Sequence, residues 1–145
     1  MFTPPLALIA EIAGELEVGS RVFVHKSTGA LRSYIDPEKY EGLEKEFADE
    51  FKVFMEKEAS QYVEVEHWST PDAFRIMEAF AEQLTDAPGL QKELFHALGN
   101  RKPFSGFKWK IDNSGPHRQQ WFDFKAARQQ ELVKKQLEFL LGTEE

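Results

Sequence analysis

Apolar residues recur at helical spacing over residues 6–17, where Leu6, Ile9, Ala13 and Leu16 fall on one face with Ile12 beside them. Gly14 weakens that helix from inside. The pattern then changes period. Arg21-Val22-Phe23-Val24-His25-Lys26 and Ala30-Leu31-Arg32-Ser33-Tyr34-Ile35 are two β-rich runs around Ser27-Thr28-Gly29. They predict a hairpin whose turn uses Gly29 for its positive φ. Asp36-Pro37 predicts the start of a helix, Asp as cap and Pro at the first helical position. Tyr40, Leu43, Phe47, Phe51, Phe54 and Met55 continue it at helical spacing to about residue 58, with Glu41 and Lys45 placed for an (i, i+4) pair. Tyr62-Val63-Glu64-Val65-Glu66-His67 alternates, a third strand most simply paired with the hairpin.

From residue 69 onward the pattern is entirely helical. Ser69-Thr70-Pro71-Asp72 combines a hydroxyl cap, a proline and a first-turn acid, and Ala73, Met77, Phe80, Ala81 and Leu84 line the buried face that follows. Asp86-Ala87-Pro88 opens a helix anchored by Leu90, Leu94, Phe95 and Leu98 and stopped at Gly99-Asn100. Phe104, Phe107 and Ile111 mark another, ending near Gly115-Pro116. The last runs from about His117 to Leu141, with Trp121, Phe122, Ala126, Val133, Leu137 and Leu140 as its core contacts. The fold expected is α+β: a three-stranded antiparallel sheet covered by helices, in one domain spanning residues 1–145, with no internal repeat or linker.

Composition adds three constraints. Thirteen Phe with three Trp and three Tyr imply a core of large aromatic anchors. The absence of cysteine excludes disulfides and thiolate chemistry. No apolar run approaches the ~20 residues that span a bilayer, and no basic signal segment precedes the apolar stretch that Glu11 cuts short. Cytoplasmic residence without membrane association is therefore the expectation. The net charge of −7 is unevenly placed: residues 1–100 hold 9 Lys and Arg against 19 Asp and Glu, whereas residues 101–135 hold 9 against 3.

The stretch from Tyr62 to Leu137 carries a resemblance. It rests on Tyr62-Val63-Glu64-Val65 followed by Phe74-Arg75-Ile76-Met77-Glu78-Ala79-Phe80, on Leu94-Phe95-His96-Ala97-Leu98, on Gly99-Asn100-Arg101-Lys102-Pro103-Phe104-Ser105-Gly106-Phe107-Lys108, and on Trp121-Phe122-Asp123-Phe124-Lys125. These pieces, with a hairpin turn matched by Thr28-Gly29, resemble a bacterial family of small acidic proteins known only as uncharacterised protein family 0158. Pro103 departs from the pattern, standing where a small or flexible residue is expected. The resemblance supports the domain boundaries and implies a bacterial, cytoplasmic setting. It carries no activity with it.

The residues themselves present no local catalytic or metal signature. His25, His67, His96 and His117 lie on four separate elements, without the spacing that places two ligands on one helical face. Glu66 and His67 point to opposite sides of a strand. None of the serines sits in a Gly-x-Ser-x-Gly elbow, and no glycine-rich phosphate loop occurs. No catalytic residue, metal or cofactor is assigned. The acids Glu38, Glu41, Glu44, Glu46, Asp49 and Glu50 read first as the wet side of an amphipathic helix and second as a docking face.

The basic segment is the best functional candidate. Arg101, Lys102, Lys108, Lys110, Arg118, Lys125 and Arg128 surround Phe104, Phe107, Trp109, Trp121 and Phe122. Cations with a stackable aromatic can grip phosphates and bases. The competing reading, that these cations neutralise carboxylates of residues 1–100, carries more weight, and a charge of −7 opposes unaided binding to a polyanion. Trp109 falls off the Phe104–Phe107–Ile111 stripe, at a second contact or partly exposed. Arg75 either lies over the surface, pairs with Glu78 or Asp72, or joins Arg101 and Lys108 in anion capture. Three readings follow. The first is a non-catalytic module binding a protein or small anionic ligand through Arg75, Arg101, Lys102, Phe104, Lys108, Trp109, Trp121 and Lys125. The second is nucleic-acid binding by the same patch. The third is an enzyme assembled from separate elements, with Arg75, His96 or His117 near an acid.

Overall fold

A computed structural model describes residues 4–142; residues 1–3 and 143–145 lie outside the described range. The elements in order are α1 (Leu6–Glu17), β1 (Ser20–His25), β2 (Leu31–Ile35), α2 (Lys45–Lys57), a 3₁₀ turn (Ala59–Gln61), β3 (Tyr62–Val65), α3 (Thr70–Gln83), α4 (Pro88–Leu98), α5 (Pro103–Asp112) and α6 (His117–Leu141). The α+β class, the antiparallel three-stranded sheet and the helical C-terminal half all match the pattern read from the chain. Contacts group the residues into two compact units, one reaching to His67 and resuming at Gln130, the other Trp68–Gln129.

In the first unit β1 is the central strand, in the order β2-β1-β3. Gly29, at φ 74°, closes the hairpin, and the His25 Nδ1 accepts the backbone N–H groups of Ser27 and Thr28. Strand alternation sends Val22 and Val24 to one face, opposite Val65 and Val63 of β3, and Phe23 to the other. Val22, Val24 and Val65 are sealed from solvent, and α1 contacts β1 and β2 while burying Ile9, Ile12, Ala13 and Leu16. On the second face Phe23 packs with Phe51 and Phe54 of α2, and Tyr34, Ala59 and Tyr62 close the cluster. Its rings meet edge-on or tilted, Phe23–Phe54 and Tyr34–Phe54 both at 4.9 Å between centroids, the arrangement that ring quadrupoles favour. Arg21 lies over Phe23 and Phe51 and donates two bonds to the Glu64 carboxylate, at 2.9 and 2.7 Å. Burial holds the Tyr34 hydroxyl above its ordinary pKa.

Among the described residues no strand lies beside the outer edge of β3. Gln136 of α6 supplies what a strand would, its amide accepting from the Glu66 N–H and donating to the Glu66 carbonyl at 3.0 Å. Val133 and Leu137 on the same helix are buried.

Several expectations need correction here. The helix expected from Pro37 begins only at Lys45. Asp36 turns its carboxylate to the Glu38 N–H at 3.0 Å, and its carbonyl accepts the Lys39 N–H, so the chain makes a turn instead of a first helical residue. Gly42, at φ 84°, then takes a left-handed conformation that a helix cannot contain. Tyr40 is consequently exposed, and Lys45 pairs with Asp49 at 3.7 Å, not with Glu41. Met55 is also exposed, as is Phe47, which shares the stripe of Phe51 and Phe54 but stands in the first turn of α2. Leu6 at the first turn of α1, Phe95 of α4 and Phe104 of α5 are likewise exposed rather than core. The third strand stops at Val65, leaving Glu66 and His67 exposed beyond it.

In the second unit Ser69 caps α3, its Oγ accepting the Asp72 N–H at 3.1 Å, and α3 buries Ile76, Met77, Phe80 and Ala81. Gln91 of α4 donates to the Ala81 and Glu82 carbonyls, at 2.8 and 3.2 Å, where α3 ends. Phe80, Phe107 and Trp121 form an edge-to-face core, with centroids at 4.8 Å for Phe107–Trp121 and 5.4 Å for Phe80–Trp121.

Candidate functional site

The site lies within the second unit, where α4 and α5 run against each other. Gly106 on α5 faces Ala97 on α4 so closely that an added Cβ would stand 3.4 Å from the alanine methyl. Two small residues at the crossing let the backbones approach and splay the longer side chains to either side. Lys92, His96 and Asn100 recur four apart on α4 and the residues following it, so they share one face of that helix. Trp109 and Lys110 face them from α5, and with Glu93, Ala97 and Gly106 these side chains line a cavity of about 570 Å³. That volume falls in the range of small-molecule sites.

A second cavity of about 530 Å³ is lined by Asn100, Arg101, Lys102, Ser105 and Gly106. Asn100 and Gly106 line both, so the two cavities are neighbours at the α4–α5 connection. Their chemistry differs. The first presents the Trp109 indole, 63% exposed, with the Lys110 ammonium 5.4 Å from its centroid. The second presents a guanidinium, an ammonium and a hydroxyl. Pro103 is the first residue of α5; its fixed φ sets the helix start immediately after the two cations.

The electrostatics of this face follow from which cations are already engaged. Lys110 reaches Glu93 at 3.6 Å, and Arg118 pairs with Asp112 at 3.2 Å while lying over Phe122 at 4.6 Å. Arg128 lies over Phe124 at 4.9 Å. Arg101, Lys102 and Lys108 are exposed and make no ion pair among the described residues. Their positive charge is therefore presented outward, beside a single carboxylate on the groove, Glu93, that Lys110 already neutralises.

The residues singled out from the sequence divide accordingly. Arg101 and Lys102 line the cationic cavity and Trp109 the aromatic one. Lys108 and Phe104 sit on α5 with exposed side chains but line neither. Arg75 bridges Asp72 at 2.9 Å on the surface of α3, one of the roles expected for it, and is absent from both cavities. Trp121 is buried to 7% exposure against Phe80 and Phe107, so its ring belongs to the core and offers no stacking face. Lys125, half-buried, rests over Trp121 and Phe122 at 5.9 and 5.4 Å. The wall facing α5 was not assembled from the sequence: Lys92, His96 and Asn100 appear together as groove residues only once α4 and α5 are placed together. Their four-residue polar spacing opposite Leu94 and Leu98 was the available signal.

Among the described residues no cluster of three His, Asp or Glu side chains has the geometry to hold a metal ion, and no helix is long and apolar enough to cross a membrane. Residues 6–141 match the model of a family described as Uncharacterised protein family (UPF0158). No curated protein and no solved structure matches the chain.

Proposed function

We propose that this chain, which belongs to the uncharacterised protein family UPF0158, is a non-catalytic binding module that takes a small anionic ligand or an anionic segment of a protein on its α4–α5 face. The carrying observation is the pair of neighbouring cavities, one presenting an exposed indole and the other Arg101 and Lys102, two cations without carboxylate partners among the described residues. Exposed cations that no carboxylate engages leave a positive field on this face, which favours a ligand that brings its own negative charge.

The test is native mass spectrometry of the tagged protein recovered from its own cells, beside a variant carrying Arg101→Ala, Lys102→Ala and Trp109→Ala. All three side chains are exposed, so the variant keeps its fold, as circular dichroism will verify. An associated ligand or partner present on the parent and absent from the folded variant is the expected result. Equal retention on both, or no associated species on either, overturns the proposal.

One observation favours a second reading. His96 lines the same cavity as Glu93 and Lys92, which gives an enzyme assembled from separate elements a concrete location. In that case His96→Gln abolishes turnover of the recovered ligand while leaving its binding intact; an unchanged ligand after prolonged incubation with the parent protein excludes it.

A further inference from the structure

The two halves of the α4–α5 surface differ in chemistry, and a ligand that satisfies both must differ along its own length in the same way. The wall formed by Ala97, Gly106 and the Trp109 indole is apolar and flat, suited to a planar ring. Arg101, Lys102 and the Ser105 hydroxyl, in the adjoining cavity, offer a planar fork of donors, a point charge and a neutral donor, the set that recognises phosphate oxygens. Asn100 lines both cavities and carries two donors and an acceptor between them. Gly106 also lines both. His96 and Lys92 place further polar groups along the aromatic half, where a heterocycle presents its edge.

Resting on the binding reading above, we infer that the ligand is a mononucleotide, its base stacked on Trp109 and its phosphate held by Arg101, Lys102 and Ser105. Charge complementarity selects this occupant. A terminal phosphate carries a charge of about −1.5 to −2 near neutral pH, which Arg101 and Lys102 together balance. A net charge of −7 on the chain repels a long polyanion, so a single nucleotide is favoured over a strand. The volume of about 570 Å³ in the aromatic half admits one ring system and a sugar, not a run of stacked bases.

Isothermal titration calorimetry with the full chain at low salt tests this, using AMP, GMP, CMP and UMP, the matching nucleosides, ribose 5-phosphate, and a 5′-phosphorylated oligonucleotide. At least one mononucleotide binds, and its nucleoside and ribose 5-phosphate each bind at least about tenfold more weakly, because each lacks one half of the recognised group. Trp109→Ala and the double change Arg101→Ala with Lys102→Ala each weaken nucleotide binding about tenfold or more, and Trp109→Phe retains most of it. Absence of binding for all four mononucleotides at about millimolar concentration overturns the inference, as does equal affinity for nucleotide and nucleoside, or affinity untouched by the variants. Tighter binding of the oligonucleotide than of any mononucleotide also overturns it, in favour of strand recognition. Should native mass spectrometry reveal a different anion that the triple variant loses, the nucleotide assignment fails while the binding site stands. Should the variant lose nothing, both fail.

Discussion

Two tryptophans, twelve residues apart in sequence, separate core from surface in the second unit. Trp121 is 7% exposed with its ring edge-on to Phe107 and Phe80, whereas Trp109 is 63% exposed on the groove. Replacing Trp121 by alanine removes nearly the whole buried indole and leaves a void bounded by two phenylalanines that cannot close it by rotating. Such truncations cost about 3–5 kcal/mol, and the lost edge-to-face pairs place this one toward the upper part of that range. Against a total stability of about 5–15 kcal/mol for a chain of this kind, that is a large share. With a urea dependence of about 2 kcal/mol per molar, the unfolding midpoint falls by roughly 1.5–2.5 M. Trp109→Ala forfeits little besides the Lys110 contact, worth about 0.5–1 kcal/mol at an exposed site, and its midpoint moves by less than roughly 0.5 M. Urea titration followed by far-ultraviolet circular dichroism reads both without relying on the tryptophans being changed. A Trp121→Ala protein within about 1 kcal/mol of the parent, or one matched in loss by Trp109→Ala, refutes the assignment of Trp121 to the core and Trp109 to the binding surface.

Other consequences concern the first unit. Arg21→Ala removes a bidentate bond to Glu64 and the guanidinium lying over Phe23 and Phe51; with both partners roughly one-third exposed the expected loss, discounted for screening, is about 1–2 kcal/mol in urea titration, and Arg21→Lys recovers only part of it. Gln136→Ala leaves the Glu66 N–H without its partner, so hydrogen exchange at that amide accelerates while the interior amides of β1 are unaffected. The Tyr34 pKa is raised in the fold, chiefly by burial. A raised pKa means that the neutral hydroxyl is the form the fold favours, so its contribution is present below about pH 10, the unfolded value, and is lost as pH rises through the folded one. Stability therefore declines above about pH 10, and Tyr34→Phe, which cannot ionise, declines less; parallel alkaline melting curves for the two proteins contradict this.

Much of the architecture was readable because local and tertiary signals agree. Two β-rich runs around a glycine turn and one alternating run located all three strands, and the Ser69-Thr70-Pro71-Asp72 start of α3 is a cap whose hydrogen bond the structure contains. Residues 36–44 were misread for a definite reason. Tyr40 and Leu43 continue the helical spacing of Phe47, Phe51 and Phe54 by coincidence, and Asp36-Pro37 is as good a turn opener as a helix opener. Gly42 was the contrary signal, since its left-handed φ ends any helix that reaches it. Trp121 and Trp109 could not be sorted by composition, because both lie among basic residues; only packing decides which ring faces Phe80 and Phe107. The groove was partly legible. Arg101, Lys102 and Trp109 stand out as charge and aromatic character in one segment, but their opposing wall comes from α4 through the Gly106–Ala97 approach, a tertiary contact with no trace in spacing along the chain.

On the proposal above, the α4–α5 face is where this protein meets an anionic ligand. A nitrogen–proton correlation spectrum of the labelled full chain, recorded as a mononucleotide is added, tests that most directly. Shifts confined to the amides of residues 92–106 and the Trp109 indole N–H, with the Trp121 indole unmoved, are the predicted result. A spectrum that does not change, or shifts concentrated on the sheet and α2, contradicts it.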